Sequence, residues 1–188
     1  NYDTNIDYTE QIVDFYPNAF FASDLSENVI NGVNLALKTA ADEFGKYGPV
    51  EYWVMGTNRE AGNVLLNEFC ERREVLGQWD LADCLSSEIN ESRGGSMSSY
   101  ISKGESLVSE NRPISSAGHN GGFQWGIHKL TSSYPHSLDN YFDYISYLEQ
   151  FKVVIHEYFH VAQHTSIYNI DVGLKDEKLK PGGAIWMM

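Results

Sequence analysis

His156-Glu157-Tyr158-Phe159-His160 is the stretch on which the reading of this chain turns. It lies in a segment from Leu138 to Thr165 whose apolar residues recur at helical spacing, with a break expected near Ser146. In the later part of that segment Phe151, Val154, Ile155, Phe159 and Ala162 form one apolar face. Val153, His156, Glu157, His160, Gln163 and His164 lie on or near the opposite face. Residues four apart share a helix face, so His156 and His160 can aim two imidazoles at one point. Glu157 sits beside the first of them.

Working outward, the chain alternates helical and extended patterns. Asp24 followed by Glu27 reads as a helix start, and Val29, Ile30, Val33, Leu37, Ala40, Ala41 and Phe44 continue the helix to Gly45. Val50 to Met55 is a strand by composition. Thr57-Asn58-Arg59-Glu60 has the form of a capping box, with Ala61, Val64, Leu65 and Phe69 inward on the helix that follows. Residues 79–91 are expected to hold a short third helix containing Cys84. Ser92 to Asn120, rich in Ser and Gly, reads as loops, with at most a strand near Tyr100-Ile101 or Ser106-Leu107-Val108. Gly122 to Leu130 alternates as a strand with a glycine kink. Residues 1–22 look like an arm with room for a short strand, and residues 23–188 like one core. The expected fold class is α+β, a small mixed sheet with an edge strand packed on a long helix.

The composition is globular, 42% hydrophobic and 21% charged. A net charge of −13 argues against a nucleic-acid partner and against an anionic membrane surface. No apolar run is long enough to span a bilayer, and no secretory leader is visible at Asn1. Cys70 and Cys84 are the only cysteines, and a disulfide between them is expected if the protein is extracellular. Localisation is therefore expected to be extracellular or cell-surface.

The chemistry of the five-residue motif is specific. A hydrolytic zinc site needs three protein ligands and one open position. Zinc brings the pKa of water near neutrality, and a carboxylate within reach takes the proton. His156 and His160 are thus candidate ligands of Zn2+, and Glu157 the candidate general base of a peptidase. His164 lies eight residues beyond His156, a rise of about 12 Å, too far to share one ion with it. Gln163 and Ser166 stand where a metzincin would have a glycine turn and a third histidine, which argues against that branch.

With His156-Glu157-Tyr158-Phe159-His160-Val161-Ala162-Gln163 and Pro181 to Met188, the chain resembles the gluzincins, the thermolysin- and aminopeptidase-like zinc peptidases. The resemblance implies a zincin-like fold and a peptide or protein substrate. Many members carry the third ligand in a W-x-x-E-G pattern on a later helix. Trp186-Met187-Met188 matches the start of that pattern, so the ligand Glu is expected at the next position. Asp171, Asp176 and Glu177 are the internal alternatives. The resemblance also makes Gly122 to Leu130 the edge strand that pairs with substrate backbone, with Gly122, Phe123, Gln124 and Trp125 as substrate-binding residues. These residues stand where aminopeptidases have G-x-M-E-N, so exopeptidase and endopeptidase both stay open. His119, His128, His136, Tyr134 and Tyr158 are candidates for stabilising an oxyanion. The alternative expectation is a non-catalytic zincin-fold protein that serves binding or assembly.

Overall fold

Helix α1 (Glu27–Phe44) starts where Ser26 caps it, its side chain accepting from the Val29 amide. It lies between strand β1 (Asn18–Phe21) and strand β2 (Val50–Met55). The two strands pair in parallel, so the α1 connection is a crossover over one face of a sheet. A computed structural model describes this chain over residues 17–47, 49–109, 116–120, 127–135 and 144–169. Among them the order continues with α2 (Arg59–Val75), α3 (Leu81–Glu88), α4 (Met97–Ser109), β3 (Ser116–Asn120), β4 (His128–Ser133) and α5 (Tyr144–Asn169).

The sheet order is β1-β2-β4-β3, parallel from β1 through β4, with β3 antiparallel at the edge. The protein is thus mixed α/β. β2 is buried along its whole length, because both faces of the sheet are covered. Its side chains alternate between two cores. Tyr52 and Val54 join Leu130 and Tyr134 under α1 and α5, while Trp53 and Met55 pack beneath α2 and α4.

The second face also holds charge. Glu51 accepts from Arg73 at 2.5 Å and from Arg72 at 2.8 Å. Glu88 accepts from Lys129 at 3.2 Å and from the Met97 amide at 2.7 Å. Each buried carboxylate is therefore paired and hydrogen-bonded, the condition under which a buried ion is tolerated. Beside this network Cys70 of α2 is joined to Cys84 of α3 by the expected disulfide. Replacing both cysteines by alanine is expected to cost about 3 kcal/mol, the chain-entropy value for a loop of this size. Chemical denaturation of the oxidised protein and the variant measures it.

Several expectations change. Asp24 does not cap α1. Its carboxylate instead accepts from the Thr57 and Asn58 amides, and Asn58, not Thr57, caps α2 through the Ala61 amide. Val64 is exposed, and Leu66 and Cys70 join Ala61, Leu65 and Phe69 on the buried side of α2. Residues 97–109 form a helix where loops or a strand were expected. The serines disguise it, but Met97, Tyr100, Ile101, Gly104 and Leu107 recur at helical spacing and are buried. Glu88 and Ser96 satisfy amides at its start. Gly104 is required there, because a Cβ at that position would stand 2.0 Å from the Gly56 carbonyl oxygen.

Among the described residues the edge strand is β3, and the part of the expected edge strand before Ile127 lies outside them. His128, Lys129 and Leu130 belong to β4, an inner strand flanked by β2 and β3. α5 runs without a break from Tyr144 to Asn169. Of the stretch read as an arm, Asn18–Phe21 forms β1.

Candidate metal centre

α5 packs against α1, β3 and β4, so it is enclosed on more sides than its apolar stripe predicts. Phe151, Val154, Tyr158, Val161 and Ala162 are buried, whereas Ile155 and Phe159 are half-buried. Phe159 tilts against Phe44 of α1, with ring centroids 5.2 Å apart. Tyr158 anchors the motif. Its hydroxyl donates to the Gly45 carbonyl at 2.8 Å and accepts from the Tyr47 amide at 3.3 Å. That use of the hydroxyl at the end of α1 removes Tyr158 from the candidates for an oxyanion donor. Tyr134 is wholly buried against Phe151, and His128 is buried in β4, so neither fits that role.

His156 is exposed, while Glu157 and His160 are only 7% and 8% exposed. The motif therefore turns partly inward, contrary to the expectation that its polar residues all avoid the core. His156 Nε2 and His160 Nε2 stand 3.2 Å apart, with the two rings nearly perpendicular. Zinc–nitrogen bonds of about 2.0–2.1 Å at a tetrahedral angle place two ligand nitrogens about 3.3 Å apart. The pair is thus spaced as two ligands of one zinc ion. On the other side of the His160 ring, Nδ1 donates to Gln163 Oε1 at 2.8 Å. A carboxamide oxygen only accepts, so this contact leaves the Nε2 lone pair facing His156. Burial and the neighbouring His160 lower the pKa of His156. Both effects favour the neutral imidazole that ligation needs.

Burial pushes Glu157 up to about 7, with the charge of Lys103 pulling in the opposite sense. Burial and then the Glu157 carboxylate push Tyr100 up to about 12. Both Tyr100 and Lys103 come from α4, the helix whose serines read as loop. Tyr100 reaches the edge strand at Gly118, where a Cβ would stand 2.0 Å from the tyrosine oxygen. Gln163 and these two α4 residues are the parts of the site that the sequence reading did not assign. The signal for Gln163 was its place three residues after His160, one turn along the same face. The signal for α4 was its helical spacing.

Gly122, Phe123, Gln124 and Trp125 lie outside the described residues, as do His136, Asp171, Asp176, Glu177 and Trp186 to Met188. The expectations about the third ligand fall there as well. Among the described residues no group of three or more His, Cys, Asp or Glu side chains converges, so the centre consists here of a histidine pair and its neighbours. No helix among them is long and apolar enough to cross a membrane. Comparisons with protein-family models, with curated proteins and with solved structures gave no match.

Proposed function

We propose that this chain is the catalytic core of a zinc-dependent peptidase of the gluzincin kind, with His156 and His160 as metal ligands and Glu157 as general base. The observation that carries the reading is the 3.2 Å separation of the two Nε2 atoms. It is the spacing that two ligands of one tetrahedral zinc require, and a carboxylate is set beside them. Zinc, when bound, supplies a Lewis acid that polarises a carbonyl and acidifies water. The remaining work falls to the chain. Glu157 accepts a proton from the attacking water at a carboxylate oxygen and returns it to the leaving amine. Gln163 holds the His160 ring in one tautomer and one orientation. Tyr158 ties the same helix turn to the end of α1, so the ligand pair stands on a fixed element.

The surroundings support a zincin-like architecture. Three parallel strands end in an antiparallel edge strand, and the chain returns through an inner strand to the helix that bears the motif. β3, the edge strand among the described residues, is a further candidate to pair with extended substrate backbone beside Gly122, Phe123, Gln124 and Trp125. The disulfide and the acidic charge fit an extracellular or cell-surface location.

Zinc titration of the metal-stripped intact protein tests the ligand assignment. One zinc per chain is expected. His160→Ala is expected to abolish tight binding, and Gln163→Ala to weaken it about 10–100-fold, as for loss of a hydrogen bond that orients a ligand. Unchanged affinity in both His156→Ala and His160→Ala would sink the assignment. A zincin-fold binding protein without catalysis would pass this titration and fail to cleave a peptide mixture, which separates the alternative.

A further inference from the structure

Among the described residues most cations are engaged. Lys38 pairs with Asp42, Arg59 with Glu91 and Glu105, Arg72 and Arg73 with Glu51, and Lys129 with Glu88. Lys103 differs. Among the described residues no carboxylate lies at ion-pair distance from it, although the chain carries 26 acidic residues against 13 basic ones. Its ammonium stands 4.0 Å from the centre of the Tyr100 ring. A cation over an aromatic face is held in place while remaining available to an anion. The side chain is exposed, whereas Glu157, whose charge it feels, is nearly buried. The helix that bears Lys103 and the helix that bears Glu157 both pack against β3.

Its position is built rather than accidental. Gly104, the next residue on α4, lies against the Gly56 carbonyl, and Gly118 of β3 makes room for the Tyr100 hydroxyl. Ser133 of β4 donates to the Tyr100 carbonyl. These contacts bring the Tyr100–Lys103 turn against the sheet edge. The Lys103 ammonium is thus a fixed positive charge on a chain whose net charge is −13.

We propose that Lys103 is a specificity determinant of this site and recognises a substrate carboxylate close to the scissile bond. The assignment rests on the peptidase reading above. The carboxylate comes either from an acidic side chain or from the free C-terminus of a peptide. Recognition by a single exposed ammonium is a point-charge interaction, and it weakens as salt rises.

The test separates binding from cleavage. Metal-stripped intact protein is titrated at low salt with fluorescent peptides that differ only as Glu against Gln, and as free against amidated C-terminus. Lys103→Met keeps an apolar stem on Tyr100 and removes the charge, and Lys103→Arg restores a charge. The wild type is expected to bind the carboxylate member of at least one pair about two- to fivefold more tightly, the ordinary size of one exposed ion pair. Lys103→Met should lose that preference and bind the neutral peptides unchanged, and Lys103→Arg should recover most of it. The pair that discriminates identifies the source of the carboxylate. Equal binding within both pairs by the wild type, or a preference that persists in Lys103→Met, overturns the proposal. Cleavage is scored separately with zinc-loaded protein and a peptide mixture. If no peptide is cleaved, the peptidase reading falls even where the charge preference is found, and the preference then belongs to a binding site alone.

Discussion

Glu157→Gln is expected to lower peptide hydrolysis by about 10²–10⁴-fold, the usual worth of a positioned general base, while zinc stays bound. The substitution keeps the shape of the side chain and leaves both imidazoles in place. What it removes is the carboxylate that accepts a proton and releases it again. The same substitution has a second expected effect, opposite in sign, on stability. Burial pushes the Glu157 carboxyl from 4.5 up to about 7, so the fold favours its neutral form. At pH below 4.5 the group is protonated in both folded and unfolded chains, and it makes no difference. Between about pH 4.5 and 7 the unfolded chain has released the proton that the folded chain keeps, so stability falls as pH rises. Above that window the full cost of the buried charge is present. The rise from 4.5 to about 7 corresponds to at most about 3 kcal/mol. Metal-stripped Glu157→Gln should therefore unfold at higher denaturant than metal-stripped wild type at pH 8, and with little difference at pH 4. A variant that is inactive and more stable marks a residue kept for chemistry at the expense of the fold. Equal denaturation midpoints at pH 8, or full activity in the variant, would contradict that view of Glu157.

The parts of this site that could be read in the sequence are those written within one helical turn. His156 and His160 share a face because they are four apart, and their Nε2 separation follows from that spacing and from the rotamer that Gln163 selects. What surrounds Glu157 could not be read in the same way, because its walls come from segments distant in the chain. α4 was hidden by composition. Serine lowers the apparent helicity of Met97–Ser109, yet the buried positions at 97, 100, 101, 104 and 107 carry the signal, and Glu88 supplies the cap from another helix. β4 was hidden for a related reason. His128-Lys129-Leu130-Thr131-Ser132-Ser133 does not resemble a core strand, although all six residues are buried. It is admitted to the core because Lys129 meets Glu88 and Ser133 meets the Tyr100 carbonyl. Hydropathy reports the cost of burying such groups and carries no record of the partner that offsets it. Ser116–Asn120, which pairs antiparallel with β4, was hidden in the same way, because serine, glycine, histidine and asparagine carry little strand signal.

The partner that admits β4 to the core leads to the second large effect. Glu88→Leu is expected to destabilise the protein by about 3–5 kcal/mol, because it leaves a buried ammonium without its counter-charge. Lys129 is 3% exposed, and its ammonium also stands 4.4 Å from the centre of the Phe69 ring. Burial already lowers the pKa of Lys129, with Glu88 acting against that tendency. Without Glu88 the pKa falls further, and the loss acquires a definite dependence on pH. A base with a lowered folded pKa is neutral in the fold while still charged in the unfolded chain, up to the ordinary lysine range. In that window the unfolded state holds more protons, so stability rises with pH. Glu88→Leu should therefore be least stable in mild acid and should regain stability as the solution becomes alkaline. The double variant Glu88→Leu/Lys129→Met should recover most of the loss at all pH values, since an apolar pair leaves no ion to desolvate. Glu88 also accepts from the Met97 amide, so both variants release the start of α4. α4 carries Tyr100 and Lys103, and a loosened α4 weakens whatever Lys103 recognises even where global stability is restored. Denaturation across pH and carboxylate-peptide binding, measured on the same two variants, separate the charge in the core from the helix that depends on it. Recovery of stability in the double variant without recovery of the Lys103-dependent preference is the expected pattern. Recovery of both would show that the position of α4 is set by Gly104 and its other packing contacts, without help from the carboxylate.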